Sequence, residues 1–87
     1  MMKSLNDLLK EKNERCVEAV EWLKRRGISV ERIIITLHHT LIVLDKKPYC
    51  DLVGTQSVFI EGSNKGRIVH LAAPLKGCEV RWSELLQ

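Results

Sequence analysis

Residues 22–35 read WLKRRGISVERIII, and within that stretch the hydrophobic repeat changes from a helical period to a strand period. Upstream, Leu5, Leu8, Leu9, Cys16, Ala19, Val20 and Leu23 fall on one face at 3.6-residue spacing. Downstream of Val30 the period becomes 2 and β-branched residues dominate. The change carries its own punctuation. Lys24, Arg25 and Arg26 suit the negative end of a helix dipole, and Gly27 followed by Ile28 fits a Schellman stop. One long amphipathic helix giving way to strands is the α+β class.

Working back from the stop, Ser4 followed by Asp7 marks the start. The hydroxyl can accept an amide hydrogen bond, and the carboxylate favours the positive end of the dipole. The helix is therefore predicted over about residues 4–26, with Glu11–Arg15 and Glu21–Arg25 as i,i+4 pairs on its exposed side. Lys12 interrupts the apolar stripe. Either its stem lies along the core edge, or the first two turns project beyond the sheet and leave Leu5, Leu8 and Leu9 in need of cover.

Working forward, Val30–Leu37 and Thr40–Asp45 read as two strands with a tight reversal at His38-His39, or as one long strand bent there. The segment from Lys46 to Gln56 contains Pro48 and Gly54 and reads as a loop. Val58–Glu61 and Arg67–Ala73 flank Gly62-Ser63-Asn64-Lys65, a hairpin signal. Pro74-Leu75-Lys76-Gly77 turns into a last strand, Cys78–Trp82, followed by a short helical turn or frayed tail over Ser83–Gln87. The expected architecture is a single domain over residues 1–87, one helix packed on an antiparallel sheet of about four to five strands.

Side-chain parity exposes a mismatch. The last strand alternates cleanly, with Cys78, Val80 and Trp82 on one face and Glu79, Arg81 and Ser83 on the other. The first two strands are apolar on both faces: Ile33 and Ile35 oppose Ile34, and Leu41 and Val43 oppose Ile42 and Leu44. One helix covers one side of a sheet. The second side then presents an apolar patch of the kind that marks association, unless the Lys46–Gln56 loop or the tail folds over it. The expected partner-binding residues are Leu5, Leu8, Lys12, Ile34, Ile42 and Leu44, and a two-fold homodimer is the simplest occupant.

Composition narrows the function classes. The 87 residues are 45% hydrophobic and 29% charged, which suits a globular rather than a disordered chain. No apolar run approaches the roughly 20 residues of a bilayer span, and lysines and acids puncture the N-terminus where a signal peptide would be apolar. Three widely spaced cysteines do not form a secreted disulfide framework, so the expected compartment is the cytoplasm, with no membrane partner.

The net charge of +3 and isoelectric point of about 8.9 permit nucleic-acid binding, for which Arg25, Arg26 and Arg32 are the candidate phosphate contacts. The signal stops there: exposed aromatics for base stacking are few, and one helix cannot form a helix-turn-helix.

No constellation for chemistry stands out. Cys16, Cys50, Cys78, His38, His39 and His70 lack the close ligand pairs of a zinc site, and Cys16 and Cys78 fall on core faces. Cys50 sits beside Asp51, which works against a reactive thiolate. The run Gly62-Ser63-Asn64-Lys65-Gly66-Arg67 lacks the spacing and following helix of a phosphate-binding loop. The expectation is a protein that is not an enzyme and uses no cofactor, metal or small-molecule substrate.

Three segments, Trp22 to Ile28, Pro48 to Cys50 and Gly77 to Trp82, resemble small proteins encoded by prophages and other mobile elements. The resemblance implies a compact accessory protein that acts by binding, such as an inhibitor of a host defence system or host enzyme. It brings no catalytic residue with it.

Overall fold

The computed structural model describes residues 4–36, 38–48, 52–64 and 66–86, with Ser63 described in its backbone alone. The expectations for Leu37, Tyr49, Cys50, Asp51, Lys65 and Gln87 lie outside the described residues. The element order is α1 (Leu5–Arg25), β1 (Val30–Ile35), β2 (Thr40–Leu44), β3 (Gln56–Ser63), β4 (Gly66–Leu75) and β5 (Cys78–Leu86).

Both ends of α1 are capped as their residues require. Ser4 Oγ accepts from the Asp7 N–H at 3.2 Å, a bond whose loss costs about 1 kcal/mol in comparable helices. At the other end the Gly27 N–H donates to Lys24 O and the Ile28 N–H to Leu23 O, both at 3.0 Å. Gly27 has φ 70, and Leu23 and Ile28 are both buried. That is a Schellman stop with its apolar contact.

The five strands form one sheet in the order β1-β2-β5-β4-β3. Three of its four pairings are antiparallel, but β2 and β5 run parallel, with Ile42 opposite Val80. The sheet is mostly antiparallel, as expected of this α+β chain, with β2–β5 as the exception. Short connections do set the β1–β2, β3–β4 and β4–β5 neighbours. The long excursion through β3 and β4 then brings β5 back beside β2 in the other sense.

The reversal between β1 and β2 is held by Thr36. Its N–H donates to His39 O at 2.9 Å, and its hydroxyl accepts from the amides of His38 and His39. Lys76 (φ 52) and Gly77 (φ 78) form the two-residue turn between β4 and β5, with the positive dihedrals of a type I′ hairpin. The tail also differs from expectation. Ser83 to Leu86 continue β5 and pair with Arg67 to His70.

Cross-strand pairing fixes which side chains share a face. The helix face carries Ile42 and Leu44 of β2, Ala73 of β4, and Cys78, Val80 and Trp82 of β5, all in one buried cluster with Ala19, Leu23 and Ile28. Leu23, Ile42 and Val80 are its largest fully buried side chains, each worth roughly 1.5–3 kcal/mol of transfer free energy. Leu52 joins that cluster and Pro48 is buried. Leu52 of the connection between β2 and β3 therefore packs on the helix face.

Ile42 and Leu44, expected to meet a partner, are 0% and 3% exposed and already cover the helix. Parity alone left open which of the two apolar faces the helix would take.

The helix covers only part of its length. Cys16, Ala19 and Leu23 are its buried residues, whereas Leu5 is 55% and Leu8 38% exposed. A Cβ on Gly77 would meet Arg15 Cδ at 3.1 Å, so α1 crosses the β4–β5 turn near Arg15 and its first turns reach past it. This matches the Lys12 interruption, and Lys12 is half-buried there. The molecule is correspondingly long, 51 × 26 × 21 Å, with a Cα radius of gyration of 14.6 Å against about 12 Å for a compact chain of this length. Among the described residues, no helix is long and apolar enough to cross a membrane.

Candidate interaction surface

The face turned away from α1 carries Arg32 and Ile34 from β1 and Leu41 and Val43 from β2. Beside them stand Glu79, Arg81 and Ser83 from β5, Ile68 and His70 from β4, and Phe59 and Glu61 from β3. Side chains from all five strands line a single trough of about 370 Å³, from Arg32 and Ile34 at one edge to Phe59 at the other. A flat sheet could not bring its two edge strands to one concavity. Register shifts between Val30 and Arg32 in β1 and between Ser57 and Phe59 in β3 supply the bend, because a bulge adds a residue to one strand and increases its twist.

The trough is apolar at one end and braced at the other. Ile34 is 42% exposed, with Leu41 its direct neighbour. Val43 lies between Arg32 on one side and Arg81 on the other. At the β3 end the Phe59 and His70 rings stack with centroids 4.1 Å apart and planes 13° from parallel. His70 Nε2 lies 2.7 Å from Glu61 Oε1, which fixes the imidazole plane beneath the phenyl ring. Arg81 Nε donates to Glu79 Oε2, also at 2.7 Å. The charges on this face are mixed in sign, and several are held in place by neighbours.

The expected site residues separate in space. Leu5, Leu8 and Lys12 belong to the helix, on one side of the sheet, and Ile34 faces the other side. They do not make one continuous surface.

The candidate phosphate contacts also separate. The Arg26 guanidinium lies 3.6 Å from the Trp22 ring centroid, and its Nη1 donates to Trp22 O at 3.3 Å. Arg25 shares that helix end, while Arg32 points into the trough on the opposite face. The two cysteines described, Cys16 and Cys78, are buried. Burial pushes both thiols above their ordinary value; at Cys78 the neighbouring Cys16 adds to the shift, and Arg15 and Lys12 oppose it. Their place as small core side chains agrees with the periodicity.

Sequence reasoning missed Leu41, Val43, Phe59, His70 and Arg81 as a group. Leu41 and Val43 were within reach, because they share parity with the exposed face once Ile42 is assigned inward. The approach of β3 to β1 was not, since bulge-driven curvature leaves no periodic mark.

A sequence model of the Kil protein family matches residues 9–83, a span running from within α1 into β5. The chain belongs to the Kil protein family. This is a phage-type family, in keeping with the likeness to prophage-encoded proteins. The match takes in the trough residues of all five strands together with most of α1. No curated protein and no solved structure matches the chain.

Proposed function

We propose that this chain is a non-enzymatic phage accessory protein that binds a host protein in the trough and modulates it. The observation that carries the reading is the concave second face of the sheet, where Ile34 and Phe59 remain 42% and 50% exposed while Leu52, from the connection expected to cover them, packs on the helix face. Singly exposed aliphatics are ordinary on a protein surface. A contiguous concave group with fixed polar neighbours is the anatomy of a recognition site. Membership of a phage-type family supports the setting.

Val43→Glu is the informative variant. Its neighbours in register are Arg32 and Arg81, so the fold gains opposite-charge pairs worth about 0.2–1 kcal/mol each while the trough loses its apolar floor. Tagged native chain should retain a host protein from nuclease-treated lysate, and Val43→Glu, with unchanged circular dichroism, should not. Equal capture by both chains would show that the trough is not the site. Capture that disappears on nuclease treatment would replace the protein partner with a nucleic acid.

A further inference from the structure

We infer that the outer edge of β1 pairs with the same edge of a second copy of this chain, on a two-fold axis at Ile34, joining two five-stranded sheets into one. β1 is a terminal strand, and among the described residues β2 alone pairs with it. The direction of its backbone groups follows from the reversal. The Thr36 N–H donates to His39 O, so Thr36 and His39 are a hydrogen-bonded pair. Alternation in an antiparallel ladder then turns the N–H and C=O of Ile35 and Ile33 away from β2, toward the free edge.

A two-fold axis normal to the sheet keeps each face on its own side, so paired residues must share parity. With Ile34 opposite Ile34 of the second copy, Ile33 falls opposite Ile35 and Ile35 opposite Ile33. Both are outward-facing, and the two pairs exchange four backbone hydrogen bonds. Shifting the register by two residues in one direction runs into the bulge between Val30 and Arg32, and in the other past the end of β1 at Ile35.

The side chains are self-complementary in this register. Ile33, Ile34 and Ile35 are 41%, 42% and 37% exposed, and pairing stacks isoleucine on isoleucine on both faces. Arg32 falls opposite Thr36 of the second copy, so no like charges meet across the axis. Edge strands that stay single are blunted by lysine, proline or a bulge, and residues 33–35 have none of these. At the other edge, β3 has its register shift near its start, between Ser57 and Phe59, and its Phe59 and Glu61 are engaged by His70.

The edge borders the trough at Ile34, which lines both, and the pairing does not depend on the binding role assigned to the rest of the trough. In the pair the two troughs would lie side by side across the axis.

Sedimentation of the native chain over a dilution series should show twice the 10.0 kDa monomer mass at high concentration. Ile33→Pro removes one outward N–H and leaves the β2 ladder intact, so it should give a folded monomer. In a Cys50→Ser background, Ile34→Cys should form a reducible covalent dimer on mild oxidation. Non-hydrogen-bonded partners lie about 4.5 Å apart at Cα, within disulfide reach. Phe59→Cys on β3 should not cross-link. A native chain that is monomeric at every concentration, or cross-linking no faster at residue 34 than at residue 59, overturns the pairing. Val43→Glu should keep the dimer mass and Ile33→Pro should keep host-protein capture, so the two readings fail separately.

Discussion

Leu23→Ala and Leu5→Ala delete the same atoms from the same helix, and the structure sets their costs far apart. Leu23 is 0% exposed and packed in the cluster with Ala19, Ile28, Ile42 and Val80. Removing its three outer carbons forfeits about 2.4 kcal/mol of transfer free energy at ~0.8 kcal/mol per carbon. The cavity adds about 24 cal/mol per Å³ of space left unfilled. A total of about 3–4 kcal/mol follows, inside the ~2.7–5 kcal/mol range of buried leucine truncations. Leu5 is already 55% exposed and leaves no cavity, so its loss should cost about 1 kcal/mol or less.

In a domain of this size 1 kcal/mol moves the melting temperature by about 4–8 °C. Leu23→Ala should therefore lower it by roughly 12–30 °C, and Leu5→Ala by no more than about 8 °C. Urea unfolding followed by the fluorescence of buried Trp82 gives the free energies directly, provided the denaturant slope is unchanged between variants. If Leu5→Ala costs as much as Leu23→Ala, the first turns of α1 are covered in the folded state, and the description of a projecting helix is refuted.

Two further tests address the sheet and the core. A Cβ on Gly66 (φ +129) would stand 2.7 Å from Leu86 O, whereas one on Gly62 meets nothing within 4 Å. Gly66→Ala should thus cost about 1–3 kcal/mol and strip hydrogen-exchange protection from Glu84 to Leu86, while Gly62→Ala leaves both unchanged. The buried thiols make stability fall in alkali. Their folded values are raised above 9.0, chiefly by burial, so above that pH the unfolded chain releases protons that the folded chain still holds. The thiol contribution is complete below pH 9.0 and is lost as pH rises through the raised folded values. Urea midpoints at neutral pH and at about pH 10 should converge for Cys16→Ala relative to the native chain; an unchanged alkaline decline in that variant would discount the effect.

Local signals were legible where one residue does one job. Ser4 and Gly27 bracketed α1 within a residue of its ends, and the turn at Pro74–Gly77 fell where its glycine stands. Lys12 marked the point where the helix leaves the sheet. The faces of β1 and β2 were not legible. A strand apolar on both sides satisfies either orientation, and only contact with Leu23 turned Ile42 inward. The neighbour of β2 was hidden as well, because alternation in Cys78–Trp82 reports which side chains are dry and not which strand lies alongside. The tail misled for a related reason: Glu84 and Leu86 lie on the helix face and Ser83 and Leu85 on the other, so neither face is uniformly apolar.

The parallel seam between β2 and β5 has a consequence for how the molecule assembles. Each hairpin, β1–β2 and β3–β4–β5, joins neighbours in the chain and can form early at small entropic cost. The seam joins Ile42 to Val80, 38 positions on (80 − 42), and can close only after both hairpins exist, so loop closure there should set the folding rate. Until it closes, Val80 and Ile42 are unpaired apolar edges. An arriving chain could supply its own β5 to the β2 of another, exchanging the last strand between molecules. Crowded expression would then trap swapped oligomers whose strand pairings are all native and whose only error is the identity of the chain.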